Sequence, residues 1–412
     1  MSNGTASPRI AVEAVSHETL DWSPRAPEMY SRAEVLRQTG TYEATITASL
    51  AGWDPRISGE DAADIEDATR QLVLFDEHAQ RTLGTENAAL GPMSAILLRT
   101  ESASSSQIEQ LTTSAKQLAL AEIDEGDKQN ALTVIGNVRA MEAALQLSDD
   151  ITEDAILQMH RALLLHQPGL EHEAGRYRAQ QVWIGSGNAG PLLAQFVAPH
   201  HARIHGAISD LVDFIARQDL SVLVQVAVAH AQFETIHPFV DGNGRTGRAL
   251  AQSILRNKGL VGSAAVPISA GLLVNTNRYF AALGAFRDGD AGPIIRSFAA
   301  ASRIAAASGT KLVDDLAAQL DESRAKLTGL RADATAWKVL PTLVGQPAVN
   351  SRYLQQVLGL GDMAALRALD ALVDRGVLSE STGKARSRIW QHRGIFEVLD
   401  AYAESIRRMS TR

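Results

Sequence analysis

Not one cysteine occurs among the 412 residues, which excludes disulfides, thiolate metal sites and cysteine nucleophiles. Long apolar runs are missing too. No stretch reaches the ~18 uninterrupted apolar residues of a membrane span, and no basic start leads into an apolar run as in a signal peptide. No membrane partner is therefore expected, and the expected address is cytoplasmic. Positive charge is in deficit, with a net charge of −8. That argues against a surface that attracts nucleic acid as a whole and leaves room only for a local basic patch.

What is present points to a helical protein. Hydrophobic residues are 45% and charged residues 21%, a balance able to build sizeable cores in two or three domains. Residues 1–30 carry Ser, Gly, Thr and Pro without hydrophobic period and read as a mobile tail. Apolar residues then recur at helical spacing, as in Ile135, Val138, Met141, Ala144 and Leu145. Between Gly91 and Ile123 the pattern suggests one helix to about Arg99 and another over Ser105–Leu111. Two short β-favouring runs, Gln181–Gly185 and Gln195–Val197, flank a Gly- and Pro-containing turn and predict a hairpin. That turn spells GSGNAG over Gly185–Gly190, yet a strand-like run rather than a helix follows, so the dinucleotide reading fails. An Ala-rich segment from Pro293 to about Leu330 leads into three short helices and a hairpin after Ala336. That is a winged helix-turn-helix pattern, with Lys384, Arg386 and Arg388 in the wing. The expected recognition helix, Met363–Arg375, balances its arginines with Asp370 and Asp374 and is poor in base-reading groups.

The chemistry is concentrated in His237–Arg248, HPFVDGNGRTGR, a loop feeding a helix. Gly242 and Gly244 permit unusual backbone angles and expose N–H groups, which with a helix N-terminus form an anion seat. Asn243 adds a neutral donor, and Arg245 and Arg248 add permanent positive charge suited to phosphate oxygens. Asp241 offers the hard oxygen that Mg²⁺ prefers when it bridges phosphates, and His237 can take a proton at neutral pH. Together these make a phosphoryl- or nucleotidyl-transfer site without a Walker A sequence.

The run resembles the Fic family signature, HPFx[DE]GNGRxxR, at every fixed position. The Val182–Ile184 hairpin resembles the family's flap, although Gln195–His200 departs from its usual prolines, and Thr41–Trp53 resembles the N-terminal region of long Fic proteins. The resemblance implies a mostly α fold: a Fic helical bundle with a β-hairpin flap, plus a C-terminal winged helix. Its expected layout is an N-terminal helical region over residues 31–125, a Fic domain over 126–305, a linker over 306–334 and the winged helix over 335–412. It implies a protein adenylyltransferase using Mg²⁺ and ATP to place AMP on a Ser, Thr or Tyr hydroxyl of a target protein, itself included.

In that scheme His237 is the base and Asp241 the metal ligand. Gly242, Asn243 and Gly244 seat the α-phosphate, Arg245 and Arg248 hold the outer phosphates, and Tyr279 lies near the adenine. Val182, Trp183, Ile184 and Gly185 dock the target segment by main-chain pairing. Ser105–Glu109 fits the family's inhibitory [ST]xxxE pattern, with Gln110 where Gly or Asn is usual. Glu109 would then occupy the γ-phosphate seat by pairing with Arg248, and in some relatives the same residue supports removal of AMP. Two other functions stand beside this one: transfer of a different phosphate-containing group, and a nucleotide-sensing, DNA-binding regulator. Homodimerisation and DNA binding by the winged helix are left open as further partnerships.

Overall fold

Alanine lowers the cost of helix throughout, and helices dominate the computed structural model, which describes residues 9–83, 90–185, 189–262, 265–381 and 388–410. Three small antiparallel sheets are the only ones among these residues. The chain folds into two compact units, each assembled from separated stretches rather than from the consecutive domains expected. The first takes residues 1–66, 143–258 and 277–299; the second takes 67–142, 259–276 and 300–412. Among the described residues no helix is long and apolar enough to cross a membrane.

The first unit is built around the helix Val222–Ile236, buried on every side from Leu223 onward. Its apolar residues point in every direction and its Gln225, His230, Gln232 and Glu234 are buried with them, so it runs through the core. The helix Asn243–Asn257 packs against it, as does Ile204–Ala216. The helix Glu153–Leu164 is set by its ends: Thr152 accepts from the Ala155 N–H at 3.2 Å, and Glu153 and Asp154 oppose the helix dipole. Its Ile156, Met159 and Leu163 form the buried stripe.

Near the N-terminus the structure corrects the expected tail. Ile10 is 1% exposed, and Ala11 bridges to Asp290, with Val12 and Ala291 N–H groups bonded across at 3.2 and 2.9 Å. Ser16–Trp22 is a strand paired antiparallel with Gly40–Ile46. This hairpin packs Leu20, Trp22 and Tyr42 against Trp183, Leu192 and Val197. The expected hairpin is present as Trp183–Ile184 paired with Phe196–Val197, so the two hairpins share one apolar cluster.

In the second unit a single helix, Leu90–Ile108, replaces the two helices expected there. It runs through Ser102, Ser105 and Ser106, all fully buried, because small side chains let it lie close to Gln129–Gln146. Asn137 seals that contact, donating to Ser102 O at 2.8 Å and to Ser106 Oγ at 3.2 Å. The helix end is a Schellman turn: Leu111 N–H bonds Ser106 O at 3.0 Å and Gln110 N–H bonds Gln107 O at 2.9 Å. Gln110 takes the left-handed conformation, with φ 63°. The turn that glycine would favour is thus made without it, at a cost of about 1–2 kcal/mol. Gln110→Gly is therefore expected to stabilise the chain by about 1 kcal/mol, read as a higher urea midpoint.

Toward the C-terminus the order is Thr335–Val339, Thr342–Gly345, strand Ala348–Val349, then helices Ser351–Leu358 and Asp362–Asp374. Strands Ser379–Glu380 and Trp390–Gln391 complete a three-stranded sheet, and the helix Arg393–Ser410 closes the chain. Lys384 and Arg386 lie outside the described residues. Arg388 is engaged by Glu380, with Nη2 2.7 Å from its carboxylate. The Ala-rich linker is one helix, Gly292–Lys326.

Candidate active site

A loop of six residues joins Val222–Ile236 to Asn243–Asn257, and backbone geometry fixes its two ends. His237 caps the first helix in the left-handed conformation, φ 49° and ψ 58°, its N–H bonded to Phe233 O at 2.9 Å. A non-glycine residue held there stores of order 1–3 kcal/mol of strain, a feature that gathers at functional sites. Gly242 caps the second helix at φ 81°, and a Cβ there would lie 2.7 Å from Leu163 Cδ2. Only glycine fits. The first helical bond is Thr246 N–H to Gly242 O, at 2.9 Å, so the amides of Asn243, Gly244 and Arg245 precede the helical ladder. They point where an anion is favoured by the helix dipole.

Asn243 clasps the loop from inside. Its Oδ1 accepts from Phe239 N–H and its Nδ2 donates to Phe239 O, both at 2.9 Å. The side chain expected to face a phosphate thus shapes the loop instead, leaving its backbone amide for the anion. Arg245 likewise turns back: its buried guanidinium donates to Asp241 Oδ2 at 2.7 Å and holds that carboxylate in place. Arg248, also buried, lies one turn further along the same helix. Asp241 remains 43% exposed at the loop's outer edge. One half-exposed carboxylate suits Mg²⁺, which keeps several waters and shares its shell with substrate phosphates. Among the described residues no group of three His, Asp or Glu side chains could hold a metal alone.

Glu234 Oε2 lies 3.8 Å from His237 Nδ1, one turn earlier on the same helix. With Nδ1 turned toward that carboxylate, Nε2 is the nitrogen left to meet a proton.

Three supporting residues carry no signature in the sequence. Arg178 is 2% exposed and donates to His237 O at 2.9 Å, Pro199 O at 2.6 Å and Gln180 O at 3.0 Å. It ties the base's backbone to the chain on either side of the flap. Burial pulls its guanidinium down to about 10, so it stays cationic at neutral pH. Arg287 lies with its guanidinium 3.7 Å from the Phe196 ring centre, under the second flap strand. His160 stacks on Phe239 at 3.6 Å. Its Nδ1 accepts from Gly175 N–H at 3.1 Å, so Nε2–H donates to Asp241 O at 3.0 Å.

Burial lowers the His160 imidazole from 6.5 to about 4. A depressed histidine stabilises the fold fully above its unfolded value and loses that contribution as pH falls toward the folded one. Stability should therefore drop between pH 6.5 and pH 4, by about 3 kcal/mol from this residue. Urea midpoints across that range would show it, and His160→Gln should flatten the slope.

Tyr279 is 1% exposed, with its hydroxyl 2.7 Å from His230 Nε2. His230 is thus a core histidine whose Nε2 is taken by the Tyr279 hydroxyl. On the flap, Ile184 is 45% exposed and Trp183 packs edge-on against Trp22 at 5.1 Å. Val182 O accepts from Ala198 N–H at 3.2 Å, and Gly185 turns the chain at φ 91°. In the second unit Ser105 is buried, and Glu109 is exposed just beyond its helix.

Residues 150–255 match the Fic/DOC family. That stretch is similar to a Fic domain. Similar curated proteins are the protein adenylyltransferase Fic of Nematostella vectensis, 32% identical over 155 residues, and fic-1 of Caenorhabditis elegans, 32% identical over 152. The alignments cover 37% and 36% of this chain but only 32% and 26% of those relatives. The chain therefore spans a third or less of the relatives it matches. Among solved structures, a Fic family protein from Desulfovibrio desulfuricans G20 is 23% identical, covering 82% of this chain and 97% of its own, with a TM-score of 0.49. The matched stretch contains the whole loop, the flap, Arg178 and His160.

Proposed function

We propose that the Fic domain transfers AMP from ATP to a hydroxyl side chain of a target protein, and to the chain itself. The observation that carries this is the loop: a strained histidine, an exposed carboxylate and a glycine-capped helix N-terminus within one short run. ATP's phosphates would lie against the amides of Asn243, Gly244 and Arg245, with Arg248 holding the outer phosphates. Asp241 would hold Mg²⁺, which when bound neutralises phosphate charge. A target hydroxyl donates its proton to His237, and its oxygen attacks the α-phosphorus. The bond to the bridging oxygen breaks and its electron pair leaves with pyrophosphate. Arg178 and Arg287 position the base and the flap, and Ile184 is the exposed apolar contact for an extended target segment.

We also propose that Glu109 restrains the reaction by competing with the outer phosphate for Arg248. Intact mass measurement after incubation with Mg²⁺ and ATP tests the transfer itself. Glu109→Gly protein should gain the mass of one adenylyl group. A gain of phosphate alone would replace AMP transfer by phosphorylation.

A further inference from the structure

Glu234 is only 7% exposed, and a carboxylate is rarely buried unless it is paired. It sits one turn before His237 on Val222–Ile236, with Oε2 3.8 Å from the ring's Nδ1. The backbone of the base is already fixed, by the left-handed helix cap and by Arg178 on His237 O. Rotation of the ring and the choice of tautomer are what the backbone leaves open. A carboxylate facing Nδ1 decides both: Nδ1–H donates to it, and Nε2 keeps its lone pair.

Arg287 joins the same residue to the flap. Its Nη2 donates to Glu234 O at 3.4 Å, and its guanidinium lies 3.7 Å from the centre of the Phe196 ring on the second flap strand. The Arg287 carbonyl accepts from Val15 N–H at 2.9 Å, so the side chain projects from a held backbone. Burial lowers the Arg287 guanidinium, and the charge of Glu234 acts against that shift. The carboxylate therefore serves two cations. One is permanent, at Arg287; the other forms at His237 only when the ring takes a proton. At 3.8 Å the contact with His237 is longer than a hydrogen bond. Catalytic bonds of this kind are often long before substrate binds and shorten in the bound complex.

We propose that Glu234 is the positioning residue of the base, holding His237 as the Nδ1–H tautomer with Nε2 free for the target hydroxyl, and that Arg287 ties this carboxylate to the flap. Its effect on rate rests on the reading of the loop as an AMP-transfer site. The hydroxyl proton passes to Nε2, and the O–H electron pair forms the bond to the α-phosphorus. The pair of the broken P–O bond leaves with pyrophosphate. Glu234 takes no proton; it stabilises the imidazolium that forms beside it.

Glu234→Gln keeps the size and removes the charge. The amide oxygen should turn toward the Arg287 cation, leaving the NH₂ group facing Nδ1 and moving the ring proton to Nε2. The test uses the full chain carrying Glu109→Gly, with and without Glu234→Gln. Nitrogen-15 NMR of labelled histidine at alkaline pH reads the tautomer, with the His237 signals identified by their loss in His237→Ala. Nδ1–H is expected before the substitution and Nε2–H after it. Self-labelling at saturating ATP should fall about 10- to 100-fold, with KM for ATP within twofold and Tm little changed. An unchanged tautomer, or a changed tautomer with undiminished labelling, overturns the proposal. A fall in labelling that only follows a fall in Tm makes Glu234 a residue of the fold and overturns it too. If the Glu109→Gly parent takes no label, the AMP-transfer reading fails, and the tautomer still decides whether Glu234 sets the ring.

Discussion

His237→Ala is expected to lower AMP transfer by about 10²–10⁴-fold, the usual contribution of a positioned general base. The fold should survive. The side chain is 19% exposed, so alanine loses some packing, but the left-handed backbone strains alanine as much as histidine. His237→Gly separates the two effects. It should be equally inactive yet more stable by about 1 kcal/mol, since glycine adopts φ 49° freely. Transfer rates and urea midpoints measured side by side check both halves. A variant that loses activity only in proportion to lost stability would show that the residue serves the fold alone.

Glu109→Gly is expected to raise self-labelling by roughly 10- to 100-fold. That range follows from a charge-assisted bond to Arg248 of about 1.5–3 kcal/mol, released to the outer phosphate. Glu109 is exposed at a helix end rather than inside it, so glycine there should cost little stability. Gln110→Gly acts as the control. It relieves the left-handed strain one residue later without removing the carboxylate, and should raise Tm while leaving labelling low.

The loop was legible because its chemistry is local. Base, carboxylate and glycine cap sit within His237–Arg248, and their geometry follows from one helix ending and another beginning. The flap was legible for a similar reason, two β-favouring runs around a turn. Arg178 and His160 were not, because each acts across a long sequence separation on a backbone carbonyl, at His237 and Asp241. A carbonyl acceptor leaves no mark in the sequence, and a lone Arg or His is ordinary. The N-terminal strand was missed since Ser16–Trp22 has only Leu20 and Trp22 as apolar anchors, and both find their partners in the flap cluster. The alternation of TYEATI, Thr41–Ile46, was the available signal for its partner strand. Between Arg99 and Ser105 the sequence suggested a gap between two helices. It is instead a buried small-residue seam, visible only once Gln129–Gln146 lies against it.

The central claim is that this loop moves AMP with His237 as base, under restraint by Glu109. The most direct measurement incubates wild type, Glu109→Gly and Glu109→Gly/His237→Ala with Mg²⁺ and α-labelled ATP and reads label on protein. Strong label in Glu109→Gly alone is the predicted result. Equal label in the double variant, or none in any of the three, would contradict the account.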